Sequence, residues 1–207
     1  MNRAIVVTGT DTDVGKTVFA AALAGALGAY YWKPIQAGLD DGSDAQRVAV
    51  LSGLPAGHIL PEAYCLTTPC SPHRAAEIDA VRIDATMLEP PAIRPLVIEG
   101  AGGALVPVTR DLLFADLFAR WCLPTVIVAR TTLGTINHSL LTIEILRSRA
   151  IPILGVAFVG DGVEDSEATI AAIGGVKRLG RLPWLSSLEP AALSAAFHEH
   201  FAVEDFA

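Results

Sequence analysis

The run Gly9-Thr10-Asp11-Thr12-Asp13-Val14-Gly15-Lys16-Thr17 is the densest piece of chemistry in the chain. It reads as a phosphate-binding loop with one residue more than the common G-x4-GK[ST] spacing. A Gly-rich turn aims successive backbone N–H groups at a helix N-terminus, which already favours anions. Lys16 is expected to reach the β- and γ-phosphates of a nucleotide, and Thr17 to place its hydroxyl on Mg²⁺. Asp13, Val14, Gly15 and Val18 are expected to complete the cradle. A second lysine, Lys33, is followed by Pro34-Ile35-Gln36-Ala37-Gly38 at the end of an apolar run and is expected to point into the same crevice. Glu99, in Glu99-Gly100-Ala101-Gly102-Gly103, follows another apolar run. That is the Walker B place, where an acid holds Mg²⁺ beside the phosphates, with Glu where Asp is commoner. Gly100 and Gly102 are expected to let backbone approach the phosphates closely, with Ala101 between them in the same nucleotide-binding stretch.

Other positions read less sharply. Asp44, in Gly42-Ser43-Asp44-Ala45, is either a helix cap shared with Ser43 or a carboxylate for magnesium. Ser71-Pro72-His73-Arg74-Ala75-Ala76 reads as a helix start, with Ser71 as cap and Pro72 in the first turn. Leu133-Gly134-Thr135-Ile136-Asn137-His138 opens a helix whose free N–H groups could bind a carboxylate. His198-Glu199-His200 has the look of a metal pair but is expected to lie on a solvated helix face. Cys65, Cys70 and Cys122 form no disulfide framework and are expected to be buried, reduced thiols.

These residues need a scaffold, and the hydropathy pattern supplies one. Short apolar runs alternate with helix-like stretches. Strands are expected at Arg3–Thr8, Tyr30–Lys33, Leu96–Ile98, Thr125–Ala129, Ile153–Val159 and Gly180–Leu182. Helices are expected at Lys16–Leu27, Asp44–Leu51, Ile136–Ser148, Ser166–Ala172 and Pro190–Phe197. The strands are continuous β-branched runs, so both faces must be covered, as in a parallel sheet flanked by helices. The pattern implies an α/β, doubly wound, mostly parallel sheet of the P-loop NTPase kind, a single domain over residues 1–207. Ligands in such sheets sit beyond the carboxyl ends of the strands, which is where the residues above fall.

Composition bounds the function. Of 207 residues, 52% are hydrophobic and 18% charged, with a net charge of −7 and a mean hydropathy of +0.46. This is the composition of a folded chain. The negative balance argues against nucleic acid as a partner. The longest uncharged stretch, Val18–Trp32, falls short of the roughly 20 residues a spanning helix needs, so no membrane partner is expected. The apolar start Ile5-Val6-Val7 is too short for a secretory leader, and a cytoplasmic location is expected.

Taken in order, GTDTDVGKT at 9–17, KPIQAG at 33–38, SPHRAA at 71–76, EGAGG at 99–103, LGTINH at 133–138 and LPW at 182–184 resemble the dethiobiotin synthetases. The resemblance covers most of the chain and includes the unusual loop spacing. It implies ATP- and Mg²⁺-dependent carboxylation of 7,8-diaminononanoate with CO2, through a carbamate and a carbamic–phosphoric anhydride, to dethiobiotin, ADP and phosphate. It implies Thr17, Asp44 and Glu99 as magnesium ligands and Lys33 as the catalytic lysine beside Lys16, with Thr12 facing the reacting groups. Leu182, Pro183 and Trp184 would line the base. Ala37, Ser71, Gly134, Thr135 and Asn137 would meet the substrate, the last three donated by a partner subunit, so a homodimer is implied. Two departures stand out. Ala37 replaces the family's usual Ser or Thr. Gly160-Asp161-Gly162 stands where the family tends to place an Asn that reads adenine, so other nucleoside triphosphates are expected to be accepted.

Two other classes share such a fold. An amide-forming ligase of the cobyrinate type would carry a further glutaminase domain, which is not expected here. A partition or septum-site switch ATPase usually carries a second lysine in the phosphate loop and a basic or amphipathic tail. This loop has Asp11 and Asp13 instead, and the tail has Glu199, Glu204 and Asp205.

Overall fold

The computed structural model describes residues 3–206. The chain runs β1 (Ala4–Gly9), α1 (Lys16–Leu27), β2 (Tyr30–Trp32), β3 (Ile35–Ala37), α2 (Asp44–Leu51), β4 (Tyr64–Leu66), α3 (Pro72–Ile78), β5 (Leu96–Gly103), α4 (Phe114–Trp121), β6 (Thr125–Arg130), α5 (Thr135–Ser148), β7 (Ile153–Val159), α6 (Glu164–Gly174), β8 (Arg178–Leu182) and α7 (Pro190–His200). Six strands form one parallel sheet in the order β2-β5-β1-β6-β7-β8. β3 and β4 form a separate parallel pair.

Alternate residues of each strand feed two cores. Ala4, Val6, Leu96 and Ile98 face α4, α5 and α6, with Phe118, Leu146 and Ile170 among the groups packed there. Ile5, Val7, Val97 and Val128 face α1 and α7, with Phe19, Leu23 and Phe197. Every residue of β1 is buried, which is why its sequence is apolar without alternation. Helix α1 is Ala-rich for the same reason, since it lies between the sheet and α2 and α7. Gly25 brings it close to α2, where a Cβ would stand 2.7 Å from the Ser52 carbonyl oxygen.

The expected strands and helices are all present, most with longer ends. Three differences matter. β5 does not stop before Glu99 but continues to Gly103. The β3–β4 pair lies outside the expected elements because a three-residue strand carries almost no period, and α4 lies outside them although its buried Phe114, Leu117, Phe118 and Trp121 recur at helical spacing. And Cys65, Cys70 and Cys122 are exposed, not buried. Cys65 and Cys70 lie on or just after the small sheet, away from the main core, and Cys122 is the left-handed cap that ends α4.

Candidate active site

The phosphate loop is shaped by backbone. Asp13 and Gly15 take positive φ, 55° and 91°, which turns the loop into α1. A Cβ on Gly15 would meet Val159 Cγ1 at 2.8 Å, so only glycine fits there. Lys16, 7% exposed, folds back so that its ammonium donates to the Asp11 carbonyl at 2.7 Å. A Cβ on Gly9 would collide with that ammonium at 2.8 Å, so Gly9 makes room for the lysine. Burial pulls the Lys16 ammonium below its ordinary pKa; Glu99 pulls it back and Lys33 pushes it further down.

Glu99 is reached by a distortion in β5. Val7 lies opposite Glu99, but Gly9 lies opposite Gly103. The extra residues of β5 bulge, with Gly102 at φ 64°. The Glu99 carboxylate, 1% exposed, then collects three donors. Thr17 Oγ1 donates to Oε1 at 2.8 Å, Tyr31 OH to Oε2 at 2.8 Å, and Lys33 Nζ to Oε1 at 3.2 Å. A buried carboxylate would be costly without such partners. Burial and then Glu99 hold the Tyr31 phenol neutral, well above its usual range.

Lys33 stands between two carboxylates, with Asp44 Oδ2 at 2.7 Å and Glu99 Oε1 at 3.2 Å. Burial pulls this ammonium down, but Glu99 and Asp44 outweigh it and its pKa lies above the ordinary lysine value. Asp44 shows the reciprocal effect. Burial raises its carboxyl, yet the Lys33 ammonium brings it below its ordinary value. The cap question at α2 has a clear answer. Ser43 caps the helix reciprocally with Gln46, in a capping box. That frees the Asp44 side chain for Lys33. Gln36 fixes the start of the helix, accepting from Asp44 N at 3.1 Å and donating to Gly38 O at 2.8 Å.

A cleft of about 610 Å³ opens over this cluster. It brings together Thr12, Asp13, Gly15, Lys16, Thr17 and Val18 of the loop with Lys33, Ala37, Asp44, Ser71, Glu99, Ala101 and Gly102. Val14 is buried under the loop, and Gly100 turns its carbonyl toward Lys33 Nζ at 3.5 Å. The remaining expected residues lie elsewhere. Leu182, Pro183 and Trp184 follow β8; Leu182 is buried and accepts from Gly160 N at 3.0 Å, while Trp184 is 69% exposed. Gly134, Thr135 and Asn137 open α5, outside the cleft of their own chain. There Thr135 is already committed, since its hydroxyl donates to Arg130 O at 2.5 Å and its N–H to Thr132 O at 3.2 Å. The N–H groups of Ile136 and Asn137 are the ones that this helix start can offer. Ser71 is the cap residue of α3, although its hydroxyl bonds no helix N–H. His198 and Glu199 are exposed, with His198 Nδ1 on Ser194 O at 2.8 Å.

Several residues of the site gave no signal of their own. Tyr31 sits inside a strand, where an aromatic is ordinary. Gln36 belongs to the KPIQAG block, but its polar side chain at a strand position was the only hint. Arg47 lines the cleft from one turn beyond Asp44, a spacing that follows only once α2 is placed.

The donor set could hold a hard divalent cation. Thr17 supplies a hydroxyl and Asp44 and Glu99 supply carboxylates, all oxygen, and the Lys33 ammonium already marks a place for positive charge between the two acids. Among the described residues no group of three or more His, Cys, Asp or Glu converges on one point. Mg²⁺ is commonly held by one or two carboxylates, with phosphate and water completing its shell.

Comparison with known proteins identifies the family and the fold. The family profile described as "AAA domain" matches residues 3–192. The ATP-dependent dethiobiotin synthetase of Novosphingobium aromaticivorans is 69% identical over 204 residues, covering 99% of each chain. That of Rhizorhabdus wittichii is 67% identical, covering all of both chains. Among solved structures, the cell division ATPase MinD of Pyrococcus furiosus superposes with a TM-score of 0.56 at 12% identity over 100% of both chains. A ParA family ATPase from Chlorobium tepidum superposes with a TM-score of 0.53 at 12% identity, over 96% of this chain and 98% of its own. At such identities these structures show the fold alone, a P-loop NTPase sheet. The full-length sequence relatives separate this chain from the switch ATPases that share it. The chain belongs to the ATP-dependent dethiobiotin synthetases, ligases of biotin biosynthesis.

Proposed function

We propose that the chain joins CO2 to 7,8-diaminononanoate with ATP and Mg²⁺, closing a cyclic urea to give dethiobiotin, ADP and phosphate. One amine nitrogen attacks CO2 and loses a proton, giving a carbamate. A carbamate oxygen attacks the γ-phosphorus of ATP, and the bond to ADP breaks. The second amine attacks the carbonyl carbon of the mixed anhydride, the bond to the phosphate oxygen breaks, and the nitrogen gives up a proton as phosphate leaves.

The observation that carries this reading is the arrangement of buried Lys16, Lys33 and Glu99 with the partly buried Asp44 at one end of the cleft. Two anions, a carbamate and a γ-phosphate, must be brought together, and that requires fixed cations in a partly dry site. Lys16 holds the β- and γ-phosphates from within the loop. Lys33 stands where the carbamate and γ-phosphoryl oxygens meet. Thr12, on the rim of the loop, faces the diamine, and Ala37 and Ser71 form the wall beside it. Asp13 to Val18 and Glu99 to Gly102 enclose the phosphates, and Leu182, Pro183 and Trp184 flank the base. Thr17, Asp44 and Glu99 would hold Mg²⁺, which when bound offsets the charge of the β- and γ-phosphates. The attacking amines must be neutral, and nearby cations together with desolvation favour that form.

The same reading makes the enzyme a homodimer. Leu105, Leu133 and Leu141 expose apolar side chains, and a second cleft of about 430 Å³ lies between Thr10–Thr12, Gly103–Pro107 and α5. Covering this face would bring the α5 start of one protomer, with Gly134 to Asn137, to the diamine's carboxylate in the other. Three exposed, unpaired thiols suit a reducing cytoplasm.

The test is turnover with 7,8-diaminononanoate, Mg-ATP and labelled bicarbonate, read by mass spectrometry. Label in a cyclised product, with ADP formed only when the diamine is present, is the expected result. ADP formed equally without the diamine, and no labelled product, would overturn the reading in favour of a switch ATPase.

A further inference from the structure

Far from the lysine cluster, one carboxylate is buried that the chemistry above does not use. Glu167 of α6 is 1% exposed. Its Oε2 lies 2.6 Å from Arg178 Nη2 and its Oε1 lies 3.0 Å from Arg181 Nε, both on β8. Oε1 also accepts from Val163 N at 3.3 Å, while Glu167 N donates back to Val163 O at 3.1 Å. One side chain therefore ties the start of α6 to Val163, at the end of the Gly160–Val163 loop, and to both the first residue of β8 and the residue before its last.

What these ties hold in place is the far flank of the phosphate loop. Gly160 takes φ 129°, and a Cβ there would stand 2.6 Å from Thr131 Oγ1 and 3.7 Å from the Trp184 ring. The Arg181 guanidinium packs on Gly162, where a Cβ would meet it at 3.0 Å. Gly160 N bonds Leu182 O at 3.0 Å, and Val159, just before it, presses on Gly15. The ends of β6, β7 and β8 thus form one surface beside the loop, and much of it is backbone. A buried ion pair is weak evidence of stability, because desolvation offsets most of the attraction. Here it stands beside a loop that has glycines at 160 and 162 and in which Asp161 and Val163 are exposed.

We propose that Glu167 is a positioning residue for the nucleoside half of ATP: through Arg178, Arg181 and Val163 N it fixes the Gly160–Val163 loop and the Leu182–Trp184 segment as a preformed seat for the base. The inference rests on the reading that the base lies against Leu182–Trp184. It separates the two halves of the nucleotide, because Lys16 and the phosphate loop are held by other contacts.

The test uses Glu167→Gln, which keeps shape and removes charge, with Glu164→Gln as control, since Glu164 also pairs with Arg178 but is exposed. Two ligands are compared: ATP, by its KM, and inorganic tripolyphosphate, by its inhibition constant, since it offers phosphates without a base. Glu167→Gln is expected to raise KM for ATP about tenfold, the scale of one lost buried ionic contact. It should leave kcat and the tripolyphosphate constant within about twofold of the parent. Glu164→Gln should change none of these. A lower melting temperature with KM for ATP unmoved would overturn the proposal and leave Glu167 a purely structural group. Equal weakening of ATP and tripolyphosphate would also overturn it, placing the effect on the phosphate loop. If Glu167→Gln does not fold, Arg181→Lys replaces it, with the same outcomes expected. Should the parent enzyme bind tripolyphosphate as well as ATP, the base-seat reading itself fails, a result distinguishable from either variant.

Discussion

Lys33 is held in its charged form by the two acids it separates, and that dependence is mutual. Removing its ammonium leaves Asp44 and Glu99 facing each other in a buried place with no cation between them. Breaking a buried pair in this way costs about 3–5 kcal/mol where nothing compensates. Lys33→Ala is therefore expected to abolish turnover and to melt at a lower temperature than the parent in EDTA. Mg²⁺ should restore much of that loss, because the two carboxylates then have a cation again. ATP binding, which rests on Lys16 and the loop, should change little. Thermal melts with EDTA and with Mg²⁺, beside a nucleotide titration, check this. Equal loss of ATP affinity would make Lys33 a nucleotide ligand instead. The same cluster sets a pH window. The Asp44 pKa is lowered on folding, so its contribution is present above the ordinary value of 3.8 and is lost as pH falls through the lower folded value. The Lys33 and Tyr31 pKa values are raised from 10.5 and 10.0, so theirs are present below those values and lost as pH rises through the folded ones. Lys16, lowered by burial, opposes Lys33 in part. Stability measured by denaturant titration is expected to fall on both sides, below about pH 4 and above about pH 10.

At the scale of elements, the glycines at the strand ends decide what the loops can do. Gly15 combines a positive φ with a Cβ distance of 2.8 Å to Val159, so Gly15→Ala must strain the backbone and displace β7's last residue. A cost of about 1–3 kcal/mol is expected from the strain, together with loss of nucleotide binding, measured by calorimetry. In the proposed base seat, Gly160 and Asp161 stand where the family resemblance implies an amide. A seat formed largely by backbone and one exposed tryptophan discriminates mainly by shape, so CTP and GTP are expected to approach ATP in turnover. A strong preference for ATP would show that the backbone and Leu182–Trp184 select the base unaided. The elements also explain what could be read from the residues alone. Continuous apolar strands, the Ala-rich α1 and the phosphate loop were legible because each obeys a local rule. Glu99, Lys33 and Asp44 were legible as types and positions, but their mutual contact was not, since it joins residues far apart in the chain across β2, β5 and α2. Tyr31 and Gln36 carry no such signal, because their roles come from partners and not from their own neighbours in sequence. The cysteines lie outside the core, against expectation, because apolar character alone does not place a residue there; Cys65 and Cys70 lie on or beside a small sheet that no period announces.

For the whole molecule, the proposed homodimer makes a statement about where the two halves of each site lie, because the α5 start of the chain stands outside its own cleft. The Lys33 cluster is at the ends of β1, β2 and β5, whereas the α5 start follows β6 and presents exposed Leu133, Gly134 and Asn137 to solvent. If a partner supplies that helix start, each site contains Lys33 of one protomer and Asn137 of the other. Two defective chains then complement each other. Lys33→Ala removes the first half, and Asn137→Asp places a negative charge where the diamine's carboxylate should meet helix N–H groups. Each variant alone is expected to be nearly inactive at low diamine concentration. Random mixing of equal amounts makes half of the dimers mixed, and each mixed dimer holds one intact site of two. Activity should therefore recover to about a quarter of the parent value, and Asn137→Asp alone should recover rate as the diamine is raised. No recovery on mixing, with subunit exchange verified by a tagged chain, would place both groups in one protomer's site and remove the shared-site arrangement.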